Sequence, residues 1–130
     1  VYKEKRQHLR LDTHIPCTVR LANSDTLSAE ILNLSVGGLK FSCGRDAFQQ
    51  ILPKDQRTPG QVTGVMIEIR FDLQPPSQSL LTIDASATVI HCERLAQDVF
   101  HVGVRFLNVD EATAQTLIAC IDAKQAQPQA

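Results

Sequence analysis

The sequence has 130 residues, 43% of them apolar and 21% charged, and 13 Lys and Arg against 14 Asp and Glu leave a net charge of −1. Enough Ile, Leu, Val and Phe are present to offset the chain entropy of one domain, which excludes a disordered chain, and no apolar run reaches the roughly 20 residues of a membrane-spanning helix. The balanced charge argues against bulk electrostatic binding of a nucleic acid polymer or an anionic membrane surface.

Residues 1–14, VYKEKRQHLRLDTH, are polar and cationic without a clean period, and are predicted to form a flexible basic arm. From Ile15 the pattern turns to period two. Ile15, Cys17, Val19 and Leu21 alternate with Pro16, Thr18 and Arg20, the mark of a half-buried strand. Asn23-Ser24-Asp25 is a turn cluster, and Leu27, Ala29 and Ile31 make a second strand. Asn33-Leu34-Ser35-Val36-Gly37-Gly38 interrupts it before a third strand at Leu39, Phe41 and Cys43. The pair reads as a hairpin with one glycine at positive φ.

Residues 44–60 are irregular, with two helical turns expected over Arg45–Leu52 and no evident role. Val65, Ile67, Ile69, Phe71 and Leu73 predict a fourth strand. Leu81, Ile83, Ala85, Ala87 and Val89 predict a fifth, long enough to bend or bulge. Phe100, Val102, Val104 and Phe106 predict a sixth, with His101, Gly103 and Arg105 on its other face. The last element is helical, capped by Asp110 or Asn108, with Ala114, Leu117, Ile118 and Ile121 on one stripe. The expected fold is all-β with a C-terminal helix. Residues 15–123 form a six-stranded antiparallel barrel capped by that amphipathic helix, followed by a polar tail at 124–130.

Cys17, Cys43, Cys92 and Cys120 are far apart, without a C-x-x-C pair, and each lies in or beside an apolar run. Free thiols behave there as small hydrophobes. With no signal peptide evident, the expectation is a cytoplasmic protein with reduced core cysteines. Catalytic signatures such as G-x-S-x-G, H-E-x-x-H and the P-loop are missing from the sequence, so no catalytic residue is assigned. His91 and Cys92 are neighbours on a strand and point to opposite faces, which gives no reason to expect a metal site.

Two polar features break the barrel pattern. One is Arg6 and Arg10, spaced R-x-x-x-R and preceded by Lys5; the other is the N-x-S-x-x-G run of Asn33, Ser35 and Gly38. Each alone reads as a solvated arm or an ordinary hairpin turn. Together they place guanidinium forks next to a small polar loop. Arginine grips phosphate bidentately, forks onto guanine or stacks on a base, and glycine lets a ligand approach the backbone. That chemistry suits a small anionic ligand containing a purine.

On these motifs the chain resembles the PilZ domain, a bacterial receptor module for cyclic di-GMP. The arm matches the family's R-x-x-x-R, and the loop lies in a family-like run, ILNLSVGGLKF. The stretch FHVGVRFLNVDEATAQTLIACI resembles its G-V-R-F strand and closing helix. The resemblance implies a six-stranded barrel whose clamp is Arg6 and Arg10 and whose platform is Asn33, Ser35 and Gly38, with Lys5, Gly37 and Arg105 as further candidates. Asn33 stands where Asp is commoner, keeping an acceptor but removing the negative charge. A basic residue before R-x-x-x-R accompanies a stacked pair of ligands in the family. Lys5 therefore points to two molecules, with Arg105 available to the second.

The implied function is a non-catalytic receptor, without cofactor or metal, that binds cyclic di-GMP and passes its occupancy to a protein partner. The alternatives are a PilZ-fold interaction module that does not bind the nucleotide, and an enzyme or zinc protein of small-barrel fold. The family serves motility, exopolysaccharide synthesis and virulence control alike.

Overall fold

A computed structural model describes residues 10–52, 65–76 and 78–126. Its strands are β1 (Arg10–Arg20), β2 (Thr26–Ser35), β3 (Gly38–Cys43), β4 (Met66–Leu73), β5 (Leu81–Ala96) and β6 (Val99–Phe106). Helix α1 (Arg45–Ile51) follows β3, and α2 (Glu111–Ala126) ends the described chain. The strands close into a barrel in the order β1-β2-β3-β6-β5-β4, every pair antiparallel. Closure gives every strand a neighbour on both sides.

The alternating apolar residues face inward as expected. Val19, Ile31, Phe41, Ile69, Val89 and Val102 are almost fully buried in one core. Helix α2 lies against β1 and β2 and adds Leu117 and Cys120 to that core; Ile121 is buried too, while Ala114 and Ile118 are half-buried. Its cap is Asp110, which accepts the Thr113 N–H at 2.8 Å, so the choice between Asp110 and Asn108 falls to the former. The helix runs to Ala126, into the segment expected to be a polar tail.

Residues 44–52, which had no expected role, pack onto the core beside β6. Phe48, Ile51 and Leu52 join the core, and the Phe48 ring stacks on Phe100 with centroids 4.2 Å apart. Asp98, at the β5–β6 turn, accepts the first α1 amide, Arg45 N–H, at 2.7 Å. The rest of the irregular stretch, from Pro53, lies outside the described residues.

Three local expectations are corrected. The first strand begins at Arg10, not Ile15, so residues 10–14 of the expected arm belong to the barrel. Polar Arg10 and Asp12 are extended because β2 continues to Ser35 and supplies partners, Arg10 opposite Ser35 and Asp12 opposite Asn33. The expected Asn33–Gly38 loop shrinks to Val36 and Gly37, with Asn33 and Ser35 in β2 and Gly38 in β3.

Neither Gly37 nor Gly38 adopts positive φ. The turn is closed instead by Ser35, whose Oγ donates to Gly38 O at 3.1 Å and accepts the Gly38 N–H at 3.2 Å. The left-handed residue of the described chain, glycines aside, is Ser24 at φ 76°, in the Asn23–Asp25 turn. All four cysteines are reduced, with none in a disulfide. No helix of the described residues is long and apolar enough to cross a membrane.

Candidate functional site

A cleft of about 400 Å³ opens on the outer face where β1, β2, β3, β6 and β5 run side by side. β1 contributes Arg10, β2 contributes Asn33 and Ser35, and the following turn contributes Gly37. From the neighbouring strands come Gly38 and Lys40 on β3, Gly103 and Arg105 on β6, and Ile90 and His91 on β5. Larger surface space lies elsewhere, around Arg20, Met66 and Glu68, but its charges are already matched in an Arg20–Glu68 pair. The cleft carries the chemistry singled out in the sequence.

Strand register explains why these side chains converge. Ile31 lies inward, and simple alternation would bury Asn33 beside it. A bulge between Ile31 and Asn33 inserts Leu32, shifts the phase, and turns Asn33 outward opposite Lys40. The inward position passes to Leu34, which is fully buried. β5 repeats the device. Val89 faces the core, a bulge places Ile90 out of register, and His91 then pairs with Gly103 on the outside. A one-residue shift reverses the face of every later side chain, and bulges commonly re-aim residues in this way.

The floor of the cleft is backbone. Gly103 sits between Lys40 on β3 and His91 on β5, and Gly38 sits opposite Arg105. A β-carbon on Gly103 would come 3.3 Å from His91 Nδ1, so the glycine leaves room for the imidazole to lean over the strand. The described lining contains Arg10, Lys40 and Arg105 and no carboxylate. In a chain of net charge −1, that is a local concentration of positive charge facing exposed main chain.

Of the residues singled out in the sequence, Arg10, Asn33, Ser35, Gly37, Gly38 and Arg105 all meet at this cleft. Arg105 points out of the barrel, opposite the buried Val104. Arg6 and Lys5 lie outside the described residues. The Ser35 hydroxyl donates its proton to Gly38 O and keeps acceptor capacity.

The sequence reading missed Lys40, Ile90 and His91. A signal was present: the apolar positions switch from odd numbers to even after Ile31 and after Val89, the trace of a bulge. Among the described residues no cluster of His, Cys, Asp and Glu is placed to hold a metal.

Comparison with known proteins adds the lineage. The sequence matches the PilZ domain over residues 4–123. The chain belongs to the PilZ domain family. A search of curated protein sequences returns no match.

Solved structures share the PilZ fold. One is the Bacillus subtilis inhibitor of motility MotI/DgrA, at TM-score 0.66 and 13% identity, covering 90% of this chain and 49% of that one. Another is Borreliella burgdorferi PlzA in complex with c-di-GMP, at TM-score 0.63 and 16% identity, covering 99% of this chain and 57% of that one. A third is the PilZ domain of Escherichia coli YcgR with c-di-GMP, at TM-score 0.60 and 15% identity, covering 89% of this chain and 88% of that one. This PilZ domain thus spans about half the length of the first two proteins and most of the third.

Proposed function

We propose that this PilZ domain is a non-catalytic receptor for cyclic di-GMP and that its ligand sits in the cleft of Arg10, Asn33, Ser35 and Gly38. One observation carries the reading. The described motif residues, distant in sequence, line a single cleft that has cationic walls, a glycine floor and, among the described residues, no carboxylate. Two structural relatives, PlzA and the YcgR PilZ domain, were solved with c-di-GMP, which agrees with it.

Arg10 is one arm of the clamp and Arg6 the other. Asn33 offers its amide to a guanine edge, and Gly37, with open space where a side chain would stand, lets the ligand reach the backbone. Arg105, with Lys5, is placed to serve a second, stacked molecule. Occupancy has a short route to a partner surface. The Phe106 N–H, at the end of β6, donates to Gly37 O at 2.9 Å, and α2 begins a few residues later.

Calorimetric titration tests the proposal. Cyclic di-GMP binds, GTP and cyclic GMP do not compete at equal concentration, and Arg10→Ala weakens binding about 10- to 100-fold, the value of one bidentate arginine contact. A stoichiometry of two nucleotides per chain supports the stacked pair; one excludes it. Absence of heat with cyclic di-GMP favours the interaction-module reading.

A further inference from the structure

We propose that His91 forms the far wall of the cleft and contacts the bound ligand's phosphate across Gly103, so that binding tightens as the imidazole takes up a proton. The inference rests on the cyclic di-GMP reading above and adds a residue outside both sequence motifs.

The first support is placement. Asn33, Lys40, Gly103 and His91 occupy one row across four adjacent strands in direct register. Three strand spacings of about 4.8 Å give that row a reach of roughly 14 Å, enough for a cyclic dinucleotide to extend from the β2 loop to β5. A ligand anchored at Asn33 and Ser35 must lie over Gly103, because it is the position in the row without a side chain.

The second support is charge. Lys40 flanks Gly103 on one side and His91 on the other, while Arg105 is the next outward residue on β6 itself. Three nitrogen-bearing side chains therefore ring a patch of bare main chain, which is a seat for an anion. The third support is the bulge at Ile90. With regular pairing His91 would follow Val89 into the core; the bulge turns it into the cleft instead.

The groups facing His91 fix the sign of the effect. Across β6 lie Arg105, His101 and, beyond Gly103, Lys40 on β3; on its own strand Glu93 stands opposite His101, with Arg94 next to it. On the β4 side the described chain begins at Val65, whose carbonyl accepts the Val89 N–H, and the nearest charged residue described on that strand is Glu68, opposite Ser86. Asp12, on β1 opposite Asn33, brings a carboxylate to the loop side of the row. A phosphate seated between Lys40 and Arg105 favours a proton on the imidazole that faces it. Histidine side chains change charge between pH 5 and 8, whereas phosphodiesters and guanine do not, so ligand binding and proton uptake are linked in that window.

The experiment is calorimetry with cyclic di-GMP at pH 5.5 to 8.0 and constant ionic strength, on the whole chain and on His91→Gln, His91→Ala and Arg10→Ala. The whole chain binds about tenfold more tightly at pH 5.5 than at pH 8.0. His91→Gln, which keeps a polar side chain but cannot charge, stays within about threefold of it at pH 8.0 and loses that dependence. In the unmodified protein the His91 ring resonances shift on ligand addition, and their titration moves to higher pH.

Binding that Arg10→Ala weakens, while the His91 variants keep the full pH dependence, overturns the inference and leaves the receptor reading standing. An unshifted His91 resonance does the same without any variant. Failure of every protein to bind at any pH overturns both.

Discussion

Gly38 backs directly onto the Val104 carbonyl. A β-carbon at Gly38 would overlap that oxygen and lie 3.1 Å from Arg105 Cα, so the β3–β6 pairing closes only around a glycine. Gly37, one residue earlier and also in the cleft, has nothing within 4 Å of the same position. The two neighbours therefore separate structure from recognition. Gly38→Ala destabilises the fold by about 1–3 kcal/mol or more, because backbone cannot step aside as a side chain can. Gly37→Ala stays within about 0.5 kcal/mol of the parent. Urea unfolding midpoints check both. Ligand affinity lost in Gly37→Ala then reports contact, whereas affinity lost in Gly38→Ala reports a displaced strand.

Ser35 holds the same turn from the other side through its paired bonds to Gly38. Ser35→Ala removes the acceptor of a half-buried N–H and costs about 1–2 kcal/mol. The Gly38 amide then exchanges with solvent at least tenfold faster, and Ser35→Thr restores its protection. Unchanged exchange in Ser35→Ala would show that the hydroxyl is free for the ligand.

Asp110 gives α2 a pH-dependent start. The Thr113 backbone N–H, and then its hydroxyl, hold the Asp110 carboxyl below the usual carboxylate range. A depressed folded value means that its contribution is present at neutral pH and is lost as pH falls through that value. Asp110→Ala lowers the melting temperature by roughly 3–5 °C at pH 7. The gap between variant and parent closes at pH 2, where the parent's cap is protonated as well. Parallel melting curves at both pH values would contradict this.

Burial pushes the Cys17 thiol up to about 12, helped by nearby Cys43, and pushes Cys43 up to about 11, helped by Cys92 and Asp98. Both are raised above the ordinary thiol value near 9. The stability from keeping them neutral is therefore complete below about pH 9 and is lost as pH rises through 11 and 12. Cys17 and Cys43 label slowly with a thiol reagent at pH 8 in the native protein and rapidly in denaturant, as mass spectrometry of the labelled chain would show. Fast native labelling of Cys17 would place it outside the core.

The period-two runs at Ile15–Leu21, Val65–Leu73 and Phe100–Phe106, and the helical stripe at Leu117 and Ile121, determined the barrel's elements without knowledge of their neighbours. Alternation is a property of one strand, and burying one face of each is enough to state which residues go inside. The two polar motifs were legible for a similar reason, since Asn33, Ser35 and Gly38 break an otherwise apolar rhythm. Which face Asn33 and His91 occupy was decided elsewhere. It depends on register against β3 and β6, and the bulges at Leu32 and Ile90 reverse what each strand's own pattern implies up to that point. The long-range pairing of β3 with β6 then set the β5–β6 hairpin next to β3, bringing His91 and Lys40 into a cleft that begins at Asn33. Side-chain direction along a strand is local, but adjacency between strands is a property of the closed sheet. The cleft's far wall therefore exists only once β3 and β6 have paired.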